Sequence, residues 1–485
     1  MADRVLKAAD RAVDPLAAGV SAIQAEQHLE PLFTAEVEQA AERDAASPAM
    51  PELDRTDIEL LTIDPPGAMD LDQAMHLARD PEGDGFVVHY AIADVMAFVQ
   101  PGDPVDTEAH DRGESMYGGS TKIPLHPRVL SEGAASLLPD QVRPAFLWTI
   151  RLDARGEVLD ARVEKARVRS RQRLDYDGVQ QSMSGVGADS TLAMLEQVGT
   201  LRLALEVERG GVSLPMPAQE IDVVGDEWRL EFRQMLPVES WNAQISLLTG
   251  FAAASIMLRG KVGILRTLPP VEESAVSKLR RTARALGLDW PAGIGHAEFI
   301  RSLDPDRPAD AAMAVACTAL LRGAGYAAFD GQVPDQPLHA ALASTYAHVT
   351  APLRRLVDRY GLETCAALCA GAPVPTWVRE GLPDLPRVMQ DSGRRARAYE
   401  HAVLDLVEAF SLQRRVGQQF LGVVLEAEHD PATGSGRREF HGTVMVPEPA
   451  VEARVTSSEP LPVGEDVTVT LAEADPATRR VRFTL

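Results

Sequence analysis

Residues 62–73 read Thr62-Ile63-Asp64-Pro65-Pro66-Gly67-Ala68-Met69-Asp70-Leu71-Asp72-Gln73. The segment enters as an apolar strand through Leu60, Leu61 and Ile63. It then meets two prolines and a glycine, which cannot continue a regular strand or helix. Asp64 therefore ends a strand, and a tight bend folds Asp70 and Asp72 back towards it. Alternate residues of an extended segment point the same way, so Asp70 and Asp72 share a face. Carboxylates held close together repel unless a cation or a proton neutralises them. Hard oxygen ligands without His or Cys suit Mg²⁺ or Mn²⁺, the metals of phosphodiester hydrolysis. The competing reading is a solvated acidic turn, the commoner fate of three acids in a chain this acidic.

The chain has 485 residues, enough for two to four domains, and its 45% hydrophobic and 25% charged residues are those of an ordinary globular protein. No stretch reaches the roughly 20 uninterrupted apolar residues of a membrane span. The opening residues lack the apolar core of a signal peptide, and the cytoplasm is the expected compartment. Cys317, Cys365 and Cys369 form neither a disulfide framework nor a zinc pattern, and Cys365 and Cys369, four apart in an expected helix, read as buried thiols. The net charge of −23 argues against a protein that coats nucleic acid with a broad basic surface. It leaves room for an enzyme that threads a strand through a locally basic channel. Arg167, Arg169, Arg171 and Arg173 alternate in one segment, and Arg394, Arg395 and Arg397 cluster in another. Strict alternation places the first four on one side of a strand, which is costly unless anions or acidic neighbours offset it.

Along the chain the periodicity changes three times. Residues 1–50 carry helical spacing (Val13, Leu16, Ala17, Val20, Ile23) punctuated by Pro15 and Pro31, and form either packing helices or a small helix-turn-helix. Residues 52–165 are β-rich, with Phe86–Val95 as a central strand and a hairpin through Phe146–Leu152 and Glu157. From about 190 to 415 helices dominate: Leu192–Glu208, Trp241–Arg259, Ala275–Leu286, Ala311–Arg322, Leu353–Ala370 and Ala396–Gln418. Residues 418–485 hold five short strands with turns at Gly434, Gly436 and Gly464, the size of an OB-type barrel. Its aromatics are few (Phe420, Phe440, Phe483), so nucleic-acid binding there would rest on loops and charges. The expected fold class is α+β: a helical module over 1–50, a mixed-sheet domain over 51–417 and an OB-fold barrel over 418–485.

The ordered motifs resemble the RNase II family of 3′-to-5′ exoribonucleases, whose catalytic unit is the RNB domain. Thr62 to Ala74 is similar to the family's metal-binding signature T-I-D-P-x-x-A-x-D-x-D-D-A. Ile92-Ala-Asp-Val95, Arg112-Gly113, Ser115, Tyr117, Ile123-Pro124-Leu125, Ser136-Leu137 and Arg143 follow in the family's order. Leu174-Asp-Tyr176 matches a later aromatic site. Tyr346-Ala-His-Val-Thr-Ala-Pro-Leu-Arg-Arg355, with Asp358 beyond it, resembles Y-x-H-F-T-S-P-I-R-R-Y-x-D. The C-terminal barrel stands where the family carries its S1 domain.

The resemblance implies an enzyme that hydrolyses RNA from a free single-stranded 3′ end to nucleoside 5′-monophosphates. Binding would be largely sequence-independent, with no membrane and a monomeric state expected. Asp64, Asp70 and Asp72 would hold Mg²⁺ (or Mn²⁺), with Gln73 as a weak or outer-shell partner, and Asp72 and Asp70 would be essential to the chemistry. Arg354 would reach the scissile phosphate; the competing role for it is an ion pair with Asp358. Tyr117 and Tyr176 would hold terminal bases, with His348 and Arg355 beside the RNA. This chain departs from the pattern in four places. Gln73 replaces an acid, Gln244 and Ile245 stand where paired glutamates are usual, and Ser213 stands where an aromatic is usual. The roughly 50 N-terminal residues are too few for the family's cold-shock barrels, at roughly 70 residues each. A homologue that binds RNA without cutting it is the alternative; a small-molecule phosphoesterase is disfavoured by the appended barrel.

Overall fold

The computed structural model describes residues 16–118, 121–183, 190–214, 218–224, 227–428 and 439–485. Val13, Pro15, Gly434 and Gly436, used above, lie outside the described residues.

The strand that carries Asp64, Leu60–Asp64, is the start of a closed five-stranded barrel. Gln73–Arg79, Phe86–Ala93 and Val142–Leu152 follow in antiparallel order, and the 18-residue strand Val158–Asp175 closes it by running parallel to Leu60–Asp64. The sheet is mixed, as expected; its closure into a barrel was not. Phe86–Ala93 pairs on both sides, and its two faces pack into separate apolar clusters (Tyr90 and Ile92 in one, Ala91 and Ala93 in the other), which is why its run is almost continuously apolar. One set of strand residues (Leu61, Tyr90, Ile92, Trp148) packs with Ile245, Leu248 and Ala252 of the helix Pro237–Gly260. The alternate set (Leu60, Ala91, Leu147, Val168) packs with Val37, Ala40 and Ala41 of the helix Ala35–Ala46.

Pro237–Gly260 is long and apolar enough to cross a membrane by composition, but most of its apolar window is buried inside the protein. It begins four residues before the expected start because Pro237 occupies its first turn and Glu239 accepts from the Leu236 N–H at 2.6 Å. The helix expected from Leu353 begins instead at Leu356, and of its two thiols Cys365 is buried as expected whereas Cys369, at the helix end, is exposed. Arg355 is extended (φ −137°, ψ 126°) and bridges Glu114, and Arg354 accepts from the Ser115 N–H, so both arginines precede the helix. The helix expected from Ala396 spans Leu385–Leu412, with Pro386 in its first turn, and so contains Arg394, Arg395 and Arg397.

The alternating arginines do not share one face. Leu60 faces Ser170 and Leu61 faces Gln172, so Arg171 sits in a bulge that breaks the two-residue period. Their charge is spent mainly on the segment preceding and forming the acidic bend. Arg167 reaches Asp54 (3.3 Å), Arg171 donates to the Thr56 carbonyl (2.9 Å) and Arg173 donates to the Ala68 carbonyl (3.2 Å).

The five C-terminal strands (Gln419–Glu428, Phe440–Pro447, Ala450–Ser457, Asp466–Asp475, Arg480–Thr484) close a second barrel. Val20 and Ile23 of the helix Ala17–Glu26 join the apolar cluster that links this barrel to Val403, Leu406 and Val407. The apolar faces of both N-terminal helices are therefore committed to the rest of the chain.

Candidate active site

The bend after Asp64 is shaped by Gly67, whose φ of +81° is a conformation other residues rarely adopt. Ser136 fastens its far side: Oγ donates to the Met69 carbonyl (2.6 Å) and accepts from the Leu71 N–H (3.0 Å). The Leu137 N–H donates to the Leu71 carbonyl and the Ala93 N–H to the Asp72 carbonyl. These bonds fix the backbone on either side of Asp72.

Asp72 is only 3% exposed. Its Oδ1 accepts from the Leu353 N–H at 2.8 Å, a contact across 281 residues of sequence, and its Oδ2 lies 3.4 Å from Arg354 Nε. The two signature segments thus meet at one carboxylate. Burial pushes the Asp72 carboxyl up to about 8; Arg354 and the Leu353 N–H oppose this, and Asp70 and Asp358 add to it. Burial also lifts Asp64 to about 7, against Arg354 and with Asp70. Asp70 is therefore the carboxylate felt by both of the others.

Asp70 has a resident partner that the sequence did not suggest: Lys122 Nζ, 2.5 Å from its Oδ2. Among the described residues, no three His, Cys, Asp or Glu side chains converge closely enough to form a finished metal cage. The donor chemistry nevertheless fits a hard divalent cation. Asp64 and Asp72 are carboxylates whose ionised forms are disfavoured by burial, and an added positive charge would relieve both.

Gln73 is occupied at both ends. Its Nε2 donates to the Thr350 carbonyl (2.5 Å) and its Oε1 accepts from the Tyr90 hydroxyl (3.0 Å), which also bonds Ser246 Oγ (2.8 Å). It ties the first signature to the second as a brace. Only an amide can do this, because a carboxylate has no N–H to offer Thr350.

Arg354 keeps its side chain 48% exposed, beside Asp72, Asp70 and Tyr117. The ion pair with Asp358 that competed for it belongs to Arg355, which grips the fully buried Asp358 through Nε and Nη2 at 2.9 Å each. The one-residue difference follows from the extended backbone at Arg355, which turns successive side chains to opposite sides. Tyr117 is part-exposed on the strand Met116–Gly118, and burial of its hydroxyl raises the phenol's pKa. Tyr176 opens the helix Tyr176–Met183 near Asp64, where its hydroxyl accepts from Asn242 Nδ2 (3.0 Å) and burial pushes it up to about 12. His348 is held between Tyr326 and Tyr346, with Nδ1 2.8 Å from the Tyr326 hydroxyl. Burial, with Arg355 and Arg266 nearby, lowers it far enough that the ring is neutral.

Two of the departures from the family pattern meet on one acid. Ser213 Oγ and Gln244 Nε2 both donate to Glu206, at 2.5 and 2.7 Å, while Ile245 lies in the core. Glu206 carried no sequence signal, since it sits within an unremarkable helical run, Ser190–Glu208.

Comparisons with known proteins identify the family and the fold. Residues 53–363 match the RNB domain, and residues 418–485 match the RNase II-type exonuclease C-terminal S1 domain. The chain belongs to the RNB-domain family. It is similar to ribonuclease R of Escherichia coli (strain K12), 31% identical over 326 residues, covering 63% of this chain and 39% of that protein. The chain thus matches well under half of the length of that relative. Among solved structures it is similar to Mycoplasma genitalium RNase R in complex with ribose-methylated single-stranded RNA (TM-score 0.84, 20% identity, 98% of this chain and 78% of that one). It is also similar to yeast Ssd1, a pseudonuclease (TM-score 0.69, 16% identity, 91% of this chain and 56% of that one). At these identities the structural likenesses establish the fold of an RNB protein with an S1-type barrel.

Proposed function

We propose that this protein is a hydrolytic exoribonuclease that shortens RNA from a free single-stranded 3′ end and releases nucleoside 5′-monophosphates. The observation that carries the reading is the meeting of Asp72 and the half-exposed Arg354, brought together from the two signature segments beside Tyr117. A divalent ion, Mg²⁺ or Mn²⁺, held by Asp64, Asp70 and Asp72, would supply activated water and stabilise the leaving 3′ oxygen.

The chain's own residues do the rest. The Leu353 N–H holds Asp72 in place. Arg354 offers a charged planar donor to the scissile phosphate and to the charge that grows on it. The exposed Tyr117 ring stacks on a terminal base, and Tyr176 lines the Asp64 side. Gln73 sets the spacing between the two segments. Arg355 and His348 shape the wall around Arg354 through Asp358 and Tyr326. Recognition through phosphates, 2′-hydroxyls and stacking is independent of base identity. A cytoplasmic, monomeric enzyme is part of the same proposal.

The test is to supply linear RNA and covalently closed circular RNA of the same sequence and to analyse the products by mass spectrometry. The proposal expects nucleoside 5′-monophosphates from the linear RNA and none from the circle. Cleavage of the circle would mean an endonuclease. The engagement of Gln73 and of Asp70 by protein groups favours a second reading, an RNA-binding homologue that does not cut. Binding of both RNAs with no products from either would establish it.

A further inference from the structure

Lys122 lies directly across from Tyr117 in the hairpin of Met116–Gly118 and Thr121–Ile123. Its root is fixed. Thr121 Oγ1 bonds the Tyr399 hydroxyl at 2.8 Å, and a side chain at Gly118 would strike the Tyr399 ring. Gln24, on the helix Ala17–Glu26, donates to the same hydroxyl at 3.0 Å, so the hairpin is braced from the N-terminal helix. Its tip has a choice. Nζ is 2.5 Å from Asp70 Oδ2, 3.7 Å from Glu132 Oε1 and 5.9 Å from the centre of the Tyr117 ring. The side chain is 17% exposed, so neither ion pair is a fully hydrated surface contact.

A flexible four-carbon stem lets an ammonium move between carboxylates a few ångströms apart. A carboxylate oxygen held by an ammonium is not free for a second cation, so the two compete for it.

We propose that Lys122 is the resident counter-cation of the acidic bend, holding Asp70 until a divalent ion takes that carboxylate and then passing to Glu132. This rests on the metal-site reading above. Lys122 is thus a positioning residue that sets how readily the site loads.

The experiment titrates Mn²⁺ into the full-length protein, freed of metal, and reads unbound Mn²⁺ by electron paramagnetic resonance. Wild type is compared with Lys122→Met, Lys122→Gln, Lys122→Arg and Asp72→Asn, each checked for folding by circular dichroism. Lys122→Met and Lys122→Gln should bind Mn²⁺ about fivefold more tightly, the equivalent of about 1 kcal/mol for a partly buried ion pair. Lys122→Arg, which keeps the competing charge, should stay near wild type. Gln retains a donor for Asp70, so the comparison stands on Lys122→Gln if Lys122→Met does not fold. Unchanged or weaker binding by the neutral variants, with binding lost in Asp72→Asn, would overturn the role of Lys122 and leave the metal site intact. Binding by Asp72→Asn equal to wild type would overturn the metal site itself.

Discussion

Replacing Asp72 by Asn separates what the carboxylate costs the fold from what it gives the chemistry. Asn has the same shape, and its carbonyl can still accept from the Leu353 N–H. Arg354 loses a partner but stays solvated, because its side chain is half exposed. The folded carboxyl is raised from 3.8 to about 8, whereas in the unfolded chain it ionises normally. Between those values the folded state binds more protons than the unfolded state, so stability falls as pH rises, and the full cost is reached above about 8. At roughly 1.4 kcal/mol per pH unit, the penalty grows by about 2–3 kcal/mol between pH 6 and pH 8. Asn carries no such penalty. In urea unfolding with EDTA present, the stability of Asp72→Asn relative to wild type should therefore rise by that amount over this range. Nuclease activity should be lost in the same variant. A stability difference that does not change with pH would refute the claim that Asp72 is a buried carboxylate awaiting a cation.

Four further outcomes follow from the same structure. Arg355→Ala strands the buried Asp358 and should cost about 3–5 kcal/mol of stability in denaturant unfolding. Arg354→Ala should cost less than about 1 kcal/mol while lowering kcat/KM roughly 10²- to 10³-fold. Gln73→Asp removes the hydrogen bond that the Gln73 amide donates to the Thr350 carbonyl and leaves a shorter carboxylate near it. Stability in EDTA should fall by about 1–3 kcal/mol, and calorimetric titration should show tighter Mn²⁺ binding. Tyr117→Ala, at a part-exposed ring, should raise KM for RNA several-fold with little change in Tm; a large loss of Tm would make Tyr117 a packing residue.

The acidic bend was legible because its signals are local: an apolar strand, two prolines, a glycine and alternating acids within one short run. The helices and the C-terminal strands were legible for the same reason, through their periods. What escaped depends on distant partners. Closure of the first barrel needs Val158–Asp175 beside Leu60–Asp64, and nothing in either strand names the other. The bulge at Arg171 breaks an alternation that looked regular in sequence. Arg354 and Arg355 are adjacent and chemically alike; only the extended backbone before Leu356 assigns one to Asp72 and the other to Asp358. Gln73 read as a weakened ligand because its partners, Tyr90 and Thr350, lie on other elements. Lys122 was one cation in an unmarked hairpin until folding set it against Asp70.

The central claim is that Asp72 and Arg354 mark a working nuclease site. The most direct measurement follows a 5′-labelled single-stranded oligoribonucleotide on a denaturing gel, with Mg²⁺ or Mn²⁺, for wild type and Asp72→Asn. The account expects a ladder that shortens stepwise from the 3′ end with wild type and intact RNA with the variant. Intact RNA with folded wild type in both metals, or an undiminished ladder with Asp72→Asn, would contradict it.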